Sequence, residues 1–225
     1  MRRLVRRAIK IVAGVTVLGL IGLELWYWSL LPGRLPQKAT HPLPDLARWG
    51  LLAELQTEDG PQPILFPFLV TYFLCAPERV RAAQTVARVH LGDLLSSGEL
   101  PRERNLKYQL RWLALTTWVA RHWTVLESLD AYGASAWVGG EPHGLEPAAR
   151  RLFGKPLRTL DVSEVALLVG LLQSPSRLDS ACHPERAAEA RGRILDRLGE
   201  HGRLSREEVA TMKVRPLGTV STCSS

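Results

Sequence analysis

Side chains that could perform chemistry are sparse in this sequence. The three cysteines, Cys75, Cys182 and Cys223, are too few and too scattered for a zinc site or a disulfide framework, although a single disulfide stays open. Residues 165–198 read VALLVGLLQSPSRLDSACHPERAAEARGRILDRL, a specific pattern of helix, turn and helix with no evident nucleophile or metal-ligand set. This pattern therefore indicates a particular fold and gives only indirect information about a reaction.

The positive charge of the chain is concentrated at its amino terminus. The 225 residues, 46% of them hydrophobic, are enough for one domain with an appendage. The formal net charge is +7, but residues 1–10 carry five basic side chains and no acidic one, which leaves +2 for the rest. Basic and aromatic residues are not interleaved on any one segment, so the sequence predicts no nucleic-acid partner.

Residues 11–31 are predicted to be a transmembrane anchor. They contain one charge, Glu24, and at ~1.5 Å per residue such a helix nearly spans a ~30 Å hydrocarbon core. The basic segment of residues 1–10 precedes the span and the aromatic residues 26–28 lie at its far end, so we expect a cytoplasmic amino terminus and a single pass. A cleaved signal peptide is the alternative, but Leu-Trp-Tyr-Trp after the apolar run 11–23 is a poor cleavage site.

The remainder of the chain is predicted to be an all-α domain that lies outside the cytoplasm. We expect a linker over residues 32–45, the domain over residues 46–213 and a flexible tail over residues 214–225. The apolar segment of residues 64–74 is too short to span a membrane. It is predicted to be either a buried core helix or a patch in the membrane interface.

Helix boundaries are marked by local signals. Asp161 with Glu164, and Ser205 with Glu208, have the spacing of capping boxes and predict helices that begin directly after Asp161 and Ser205. Pro184 suits the first turn of a helix that reaches about residue 198. A shorter helix carries Pro147 in its first turn and is closed by Gly154.

Several motifs, in order and without a gap over about residues 106–212, resemble the peptidoglycan glycosyltransferase domain. This domain, glycosyltransferase family 51, occurs in class A penicillin-binding proteins and monofunctional transglycosylases. The Gln-Ser-Pro-Ser turn and the following His-Pro-Glu-Arg-Ala are similar to the family's Gln-Ala-Pro-Ser and His-Pro-Glu-Arg-Ala. Residues 145–172 resemble its Ala-Ala-Arg-x-Tyr-Phe-Gly-Lys segment and the helix after it. The resemblance implies a lysozyme-like fold at the bacterial inner membrane.

Most residues that carry the resemblance have a structural role. Gly139, Gly144 and Gly154 are expected at positions of positive φ or of close backbone approach. Gln173 and Ser174, together with Ser176, are expected to hold a turn through bonds from their side chains to the backbone.

The resemblance also implies a reaction and residues for it. In the family, a sugar 4-hydroxyl attacks the anomeric carbon of a lipid-linked donor, and undecaprenyl pyrophosphate leaves. Such a reaction needs a carboxylate base, and cations or a metal ion beside the departing diphosphate. The catalytic candidates are Glu54, in GLLAELQTED, and Asp130, in place of the Glu of Glu-x-Tyr-Leu-Asn. The pair Glu58–Asp59 is a second candidate for the base, and a carboxylate on an exposed helix end is the alternative for either site.

Candidate substrate-binding residues follow from the same alignment. They are Thr85, Arg111 and Arg191. Thr85 is the one match to the family's Gly-Gly-Ser-Thr-Ile-Thr-Gln-Gln, and Arg191 belongs to its Arg-Arg-x-x-Val-Leu helix. Arg111 and Lys107 are neighbours of the positions at which the family has a pair of cations that this sequence lacks. They either substitute for that pair or belong to a solvated helix face.

Most residues of the family's catalytic motifs are replaced in this sequence. Leu55 stands where the family has Asp. The Arg, Lys and Glu of the family's Arg-Lys-x-x-Glu motif align with Tyr108, Gln109 and Trp112. We therefore predict a degenerate member, in effect a pseudoenzyme, that binds lipid-linked precursor, glycan strand or a cell-wall synthesis protein with little turnover. The alternatives are an active glycosyltransferase and an unrelated membrane-tethered helical domain. No cofactor is implied for binding alone, and a divalent metal ion is expected if the protein is active.

Overall fold

The computed structural model describes residues 2–60, 80–101, 105–178 and 180–220. In these ranges all regular secondary structure is helical, which confirms the predicted all-α class. The α-helices are α1 (Arg2–Leu30), α2 (Asp45–Leu55), α3 (Arg81–Ser96), α4 (Asn105–His122), α5 (Val125–Ser135), α6 (Leu145–Phe153), α7 (Val162–Gly170), α8 (Pro184–Glu200) and α9 (Arg206–Val214). Two short 3₁₀ helices span Leu157–Thr159 and Leu171–Gln173.

Helix α1 contains the predicted span. Ile9–Leu30 is long and apolar enough to cross a membrane, by length and composition. Its large apolar side chains, such as Ile11 and Leu18, are mostly exposed to the surroundings. This is consistent with membrane anchoring, although a signal sequence near the amino terminus satisfies the same criterion.

The chain divides into two compact units. The first comprises Met1–Pro36 and Gln62–Trp123, and the second comprises Gln37–Pro61 and Thr124–Ser225. Helices α1, α3 and α4 belong to the first unit, whereas α2 and α5 to α9 belong to the second.

In the first unit, α4 packs against both α1 and α3. An apolar cluster forms where Tyr27 and Leu30 of α1 meet Ala114 of α4. Glu24, the one charge of the predicted span, accepts two hydrogen bonds from the guanidinium of Arg121, at 3.1 and 2.9 Å. This pairing offsets the cost of burying a carboxylate in an apolar helix.

The second unit is built around α7, which is buried on all sides. Val165 and the residues that follow it in α7 are almost fully inaccessible to solvent. Helices α2 and α8 both pack on α7. A Cβ atom on Gly170 would lie only 2.9 Å from the backbone carbonyl of Ala190, and one on Gly50 would lie 3.1 Å from the Val169 side chain. Small residues therefore set how closely α2 and α8 approach α7.

The predicted helix caps are confirmed. Both capping boxes, at Asp161 and at Ser205, are formed with the Glu three residues later. A third capping box, between Thr124 and Glu127, starts α5 and was not among the predicted boundaries. Gly154 ends α6 with a φ of +67°.

Two sequence predictions fall partly or wholly outside the described residues. One is the apolar segment of residues 64–74, and the other is the possibility of a single disulfide. Cys182 takes part in a disulfide, whereas Cys75 and Cys223 lie outside the described ranges.

We expect Gly170→Ala to destabilise the second unit by about 1–3 kcal/mol, because the added methyl group meets the rigid backbone of α8. Gly192→Ala is the matched control, since its Cβ would meet only the end of the flexible Lys213 side chain, at 3.5 Å. That change should be neutral or stabilising by up to ~1 kcal/mol. Denaturant unfolding of the full chain in detergent measures both, and equal effects would contradict the packing argument.

Candidate functional site

Glu54 lies in the last turn of α2, in the second unit. The helix ends two residues later because Gln56 adopts a left-handed conformation, with a φ of +48°. Although Glu54 is at a helix end, only 10% of its side chain is exposed. The alternative of an exposed carboxylate is therefore wrong for Glu54, while Glu58 and Asp59 are indeed exposed.

Two donors from other elements hold the Glu54 carboxylate. The amide of Gln173 donates to Oε2 at 3.1 Å, and Arg197 of α8 donates to the same oxygen at 3.2 Å. Arg197 also donates to the backbone carbonyls of Ala53 and Glu54, at 3.3 and 3.0 Å. It thereby satisfies carbonyl groups that the end of α2 would otherwise leave unpaired. Arg193, one turn earlier in α8, donates to the Gln173 amide oxygen at 3.3 Å.

The electrostatic surroundings of Glu54 act in opposite directions. Burial raises the pKa of Glu54, and this effect outweighs the hydrogen bond from Gln173 and the positive charges of Arg197 and Arg193, which lower it. A carboxyl group with a raised pKa is common among general bases, and also among buried carboxylates with a purely structural role.

Asp130 is buried on α5 and is bound through both of its carboxylate oxygens. Arg48 of α2 donates to these oxygens at 2.9 and 2.7 Å, and the backbone N–H of Leu43 donates at 3.0 Å. The hydrogen bonds that Arg48 donates to Asp130 raise the pKa of Arg48. Asp130 thus joins α5 to the start of α2 and to the segment before it.

The two catalytic candidates have separate sets of partners. Asp130 binds Arg48 in the first turn of α2, whereas Glu54 lies six residues further on, or about 9 Å along the helix axis. No hydrogen bond or ion pair joins Glu54 to Asp130 in the part of the chain that the structure describes. Their assignment as a catalytic pair stays a prediction.

The substrate-binding candidates are placed in both units. In the first, the Thr85 hydroxyl donates to the Arg81 carbonyl of its own helix, α3, and Arg111 is half-buried on α4. In the second, Arg191 is only 2% exposed, and burial lowers its pKa. Its guanidinium donates to Ser163 Oγ and to the backbone carbonyls of Lys213, Arg215 and Pro216. A role of these three residues in substrate binding also stays a prediction.

In the first unit, aromatic side chains occupy two of the three positions at which the resemblance implies charged residues. Tyr108 and Trp112 pack against the apolar cluster of Ala87, Leu91, Leu94 and Leu115. The Trp112 indole N–H donates to the Gln84 carbonyl at 3.1 Å, and the Arg88 guanidinium lies 5.8 Å from the ring centroid. Within the described ranges, no three His, Cys, Asp or Glu side chains are grouped so as to hold a metal ion.

Gln173, Arg193 and Arg197 were not predicted as site residues. The expectation that Gln173 holds its own turn is wrong, because its amide reaches Glu54 and Arg193 instead. The spacing of Arg193 and Arg197 was a usable signal, since residues four apart share one face of a helix. What that face opposes depends on the packing of α8 and cannot be taken from the spacing.

Comparisons with known proteins place most of this site in a recognised domain. A family model described as "Transglycosylase" matches residues 82–199, just over half of the chain. This range includes Asp130, Gln173, Arg193 and Arg197, whereas Glu54 lies before it.

Individual relatives cover similar parts of the chain. Penicillin-binding protein 1A of Pseudomonas aeruginosa is 29% identical over 118 residues, which are 52% of this chain and 14% of the relative. Penicillin-binding protein 1C of Escherichia coli is 36% identical over 117 residues, 52% of this chain and 15% of the relative. The chain thus spans a minor part of these relatives. A crystal structure of penicillin-binding protein 1A from Haemophilus influenzae matches 74% of this chain and 19% of its own, with 20% identity and a TM-score of 0.38.

We expect Asp130→Ala to destabilise the protein by about 3 kcal/mol, because it leaves the Arg48 guanidinium and the Leu43 N–H without their acceptor. The matched control is Asp196→Ala, which removes an exposed ion pair with Lys213 and should cost at most about 1 kcal/mol. Thermal unfolding of both variants, followed by circular dichroism, measures the difference. Similar losses would show that Asp130 is not a structural anchor.

Proposed function

This chain belongs to the transglycosylase family, and we propose that it is a membrane-anchored protein of cell-wall synthesis that binds its ligand with little turnover. The proposed ligand is the lipid-linked peptidoglycan precursor or a glycan strand made from it. Cell-wall synthesis proteins are further candidate partners.

The observation that carries the proposal is the packing of Tyr108 and Trp112 in the first unit. At these positions the resemblance calls for a cation and a carboxylate, and Gln109 stands where a second cation belongs. An apolar cluster cannot stabilise the charge that develops on a departing diphosphate. Loss of one such electrostatic group commonly costs ~10²–10³ in rate, so loss of several supports a protein with little turnover.

The bonding of Asp130 supports the same conclusion. A carboxylate that accepts from a guanidinium through both oxygens, and from a backbone N–H as well, is poorly available for proton transfer. Its contacts suit a structural role at the start of α2.

An active glycosyltransferase is the second candidate, and the surroundings of Glu54 favour it. This carboxyl group is mostly buried and has a raised pKa, as a general base requires. If the charge on the leaving diphosphate is stabilised by a divalent metal ion, Glu54 could still serve in turnover.

The proposed location is the bacterial inner membrane, with one pass and with the helical units outside the cytoplasm. The apolar span Ile9–Leu30 and the basic residues before it support this orientation. The disulfide at Cys182 is consistent with this location, because disulfides persist mainly in oxidising compartments.

We expect the purified full chain to bind lipid-linked disaccharide-pentapeptide in detergent micelles but not to polymerise it, with or without Mg²⁺. The physical reason is that Tyr108 and Gln109 replace the two cations that the resemblance implies beside the departing diphosphate. Gel analysis of labelled glycan measures polymerisation, and a titration with the same labelled lipid measures binding. Glycan synthesis above a no-protein control that is abolished by Glu54→Gln would establish the active enzyme instead.

We expect a reporter that is active only in the periplasm to be active when fused after Ser225. The basic residues before the span should keep the amino terminus in the cytoplasm. A reporter that is active only in the cytoplasm, fused at the same position, is the control and should be silent. The reverse pattern would remove both the proposed location and the role in cell-wall synthesis.

A further inference from the structure

The Glu54 carboxylate is held through one oxygen only. Both hydrogen bonds that it accepts from described residues, those from Gln173 and Arg197, go to Oε2. Oε1 accepts no hydrogen bond from the described residues, yet it is not a fully buried atom. It therefore reaches solvent, within a side chain that is otherwise 90% covered.

Both donors are themselves fixed. Arg197 donates from the same nitrogen, Nη1, to the last carbonyls of α2, so its position follows the end of that helix. Gln173 is oriented by Arg193, which donates to its amide oxygen and thereby turns the amide nitrogen towards Glu54. An acceptor held in this way loses little conformational entropy when a ligand binds.

We infer that Gln173 and Arg197 are positioning residues, which hold Glu54 through Oε2 so that Oε1 accepts a hydrogen bond from a hydroxyl group of the bound glycan. The chemical class of the ligand rests on the proposed function, whereas the orientation of the carboxylate does not. Arg193 acts one step further away, through the Gln173 amide.

A pH dependence follows from this arrangement. A charged carboxylate is a stronger acceptor than a neutral carboxyl group, so affinity for a hydroxyl-bearing ligand should fall as pH falls through the pKa of Glu54. Burial raises that pKa, and the groups that lower it are Gln173, Arg197 and Arg193. Removing Gln173 or Arg197 therefore raises the pKa further and shifts the midpoint of the binding profile to higher pH.

The first experiment needs no ligand. The full chain, labelled with ¹³C at the Glu carboxyl carbons, is titrated by NMR in detergent micelles, and the Glu54 signal is assigned from its loss in Glu54→Gln. We expect Gln173→Leu and Arg197→Met to raise the Glu54 pKa, with a smaller change in Arg197→Lys. Arg150→Met is the matched control, because Arg150 pairs with the exposed Glu146, and it should leave the Glu54 pKa unchanged. If Gln173→Leu and Arg197→Lys, folded by circular dichroism, both leave it unchanged, the inference is overturned.

The second experiment uses lipid-linked disaccharide-pentapeptide as the ligand and measures its affinity from acidic to neutral pH. We expect Glu54→Gln to weaken binding at neutral pH by about tenfold and to abolish the pH dependence. Gln173→Leu should shift the midpoint to higher pH, whereas a merely structural role would lower affinity evenly at all pH values. A profile that is lowered without a shift overturns the inference. Absence of binding by the unmodified chain at every pH overturns the proposed function alone, and the NMR titration then decides the positioning of Glu54.

Discussion

The close packing of α7 between α2 and α8 is the constraint on which the second unit depends. Gly170 lets the backbone of α8 approach to a distance at which a Cβ would clash, and Gly50 of α2 lies so near α7 that a Cβ would be 3.1 Å from the Val169 side chain. Because both neighbours are held against α7, Arg197 of α8 reaches the carboxyl end of α2. The surroundings of Glu54 are thus a product of helix packing around small residues rather than of any local motif.

Among the described residues, three mostly buried carboxylates are paired with arginine, and they are bound in two different ways. Glu24 with Arg121, and Asp130 with Arg48, use both oxygens of the carboxylate. Such bidentate pairs satisfy the buried charge and fix the geometry between two elements. Glu54 receives its guanidinium and its amide on one oxygen. A carboxylate that served only to join α2 to α8 would be more stable with both oxygens bound.

Local signals in the sequence were sufficient for much of the fold. Capping boxes at Asp161 and Ser205 predicted where α7 and α9 begin, and the apolar run of α1 predicted a span, because each of these depends on neighbours in the sequence. The bond between Gln173 and Glu54 joins residues 119 positions apart. Gln173 was assigned to its own turn because nothing near it in the sequence indicates a distant acceptor, and only the packing of α7 brings one within reach.

Binding a glycan and transferring it make different demands on a site. Recognition of a hydroxyl group needs an oriented acceptor, and Glu54, held by Gln173 and Arg197, is the acceptor that we propose. Transfer needs, in addition, positive charge beside the leaving diphosphate, because that charge develops only in the transition state. In the first unit, the positions at which the resemblance implies one such cation and a carboxylate carry Tyr108 and Trp112, which pack against an apolar cluster. Under the proposed function, a chain that keeps an oriented acceptor but lacks such charges would retain contacts that the ground state uses and lose those that only the transition state uses.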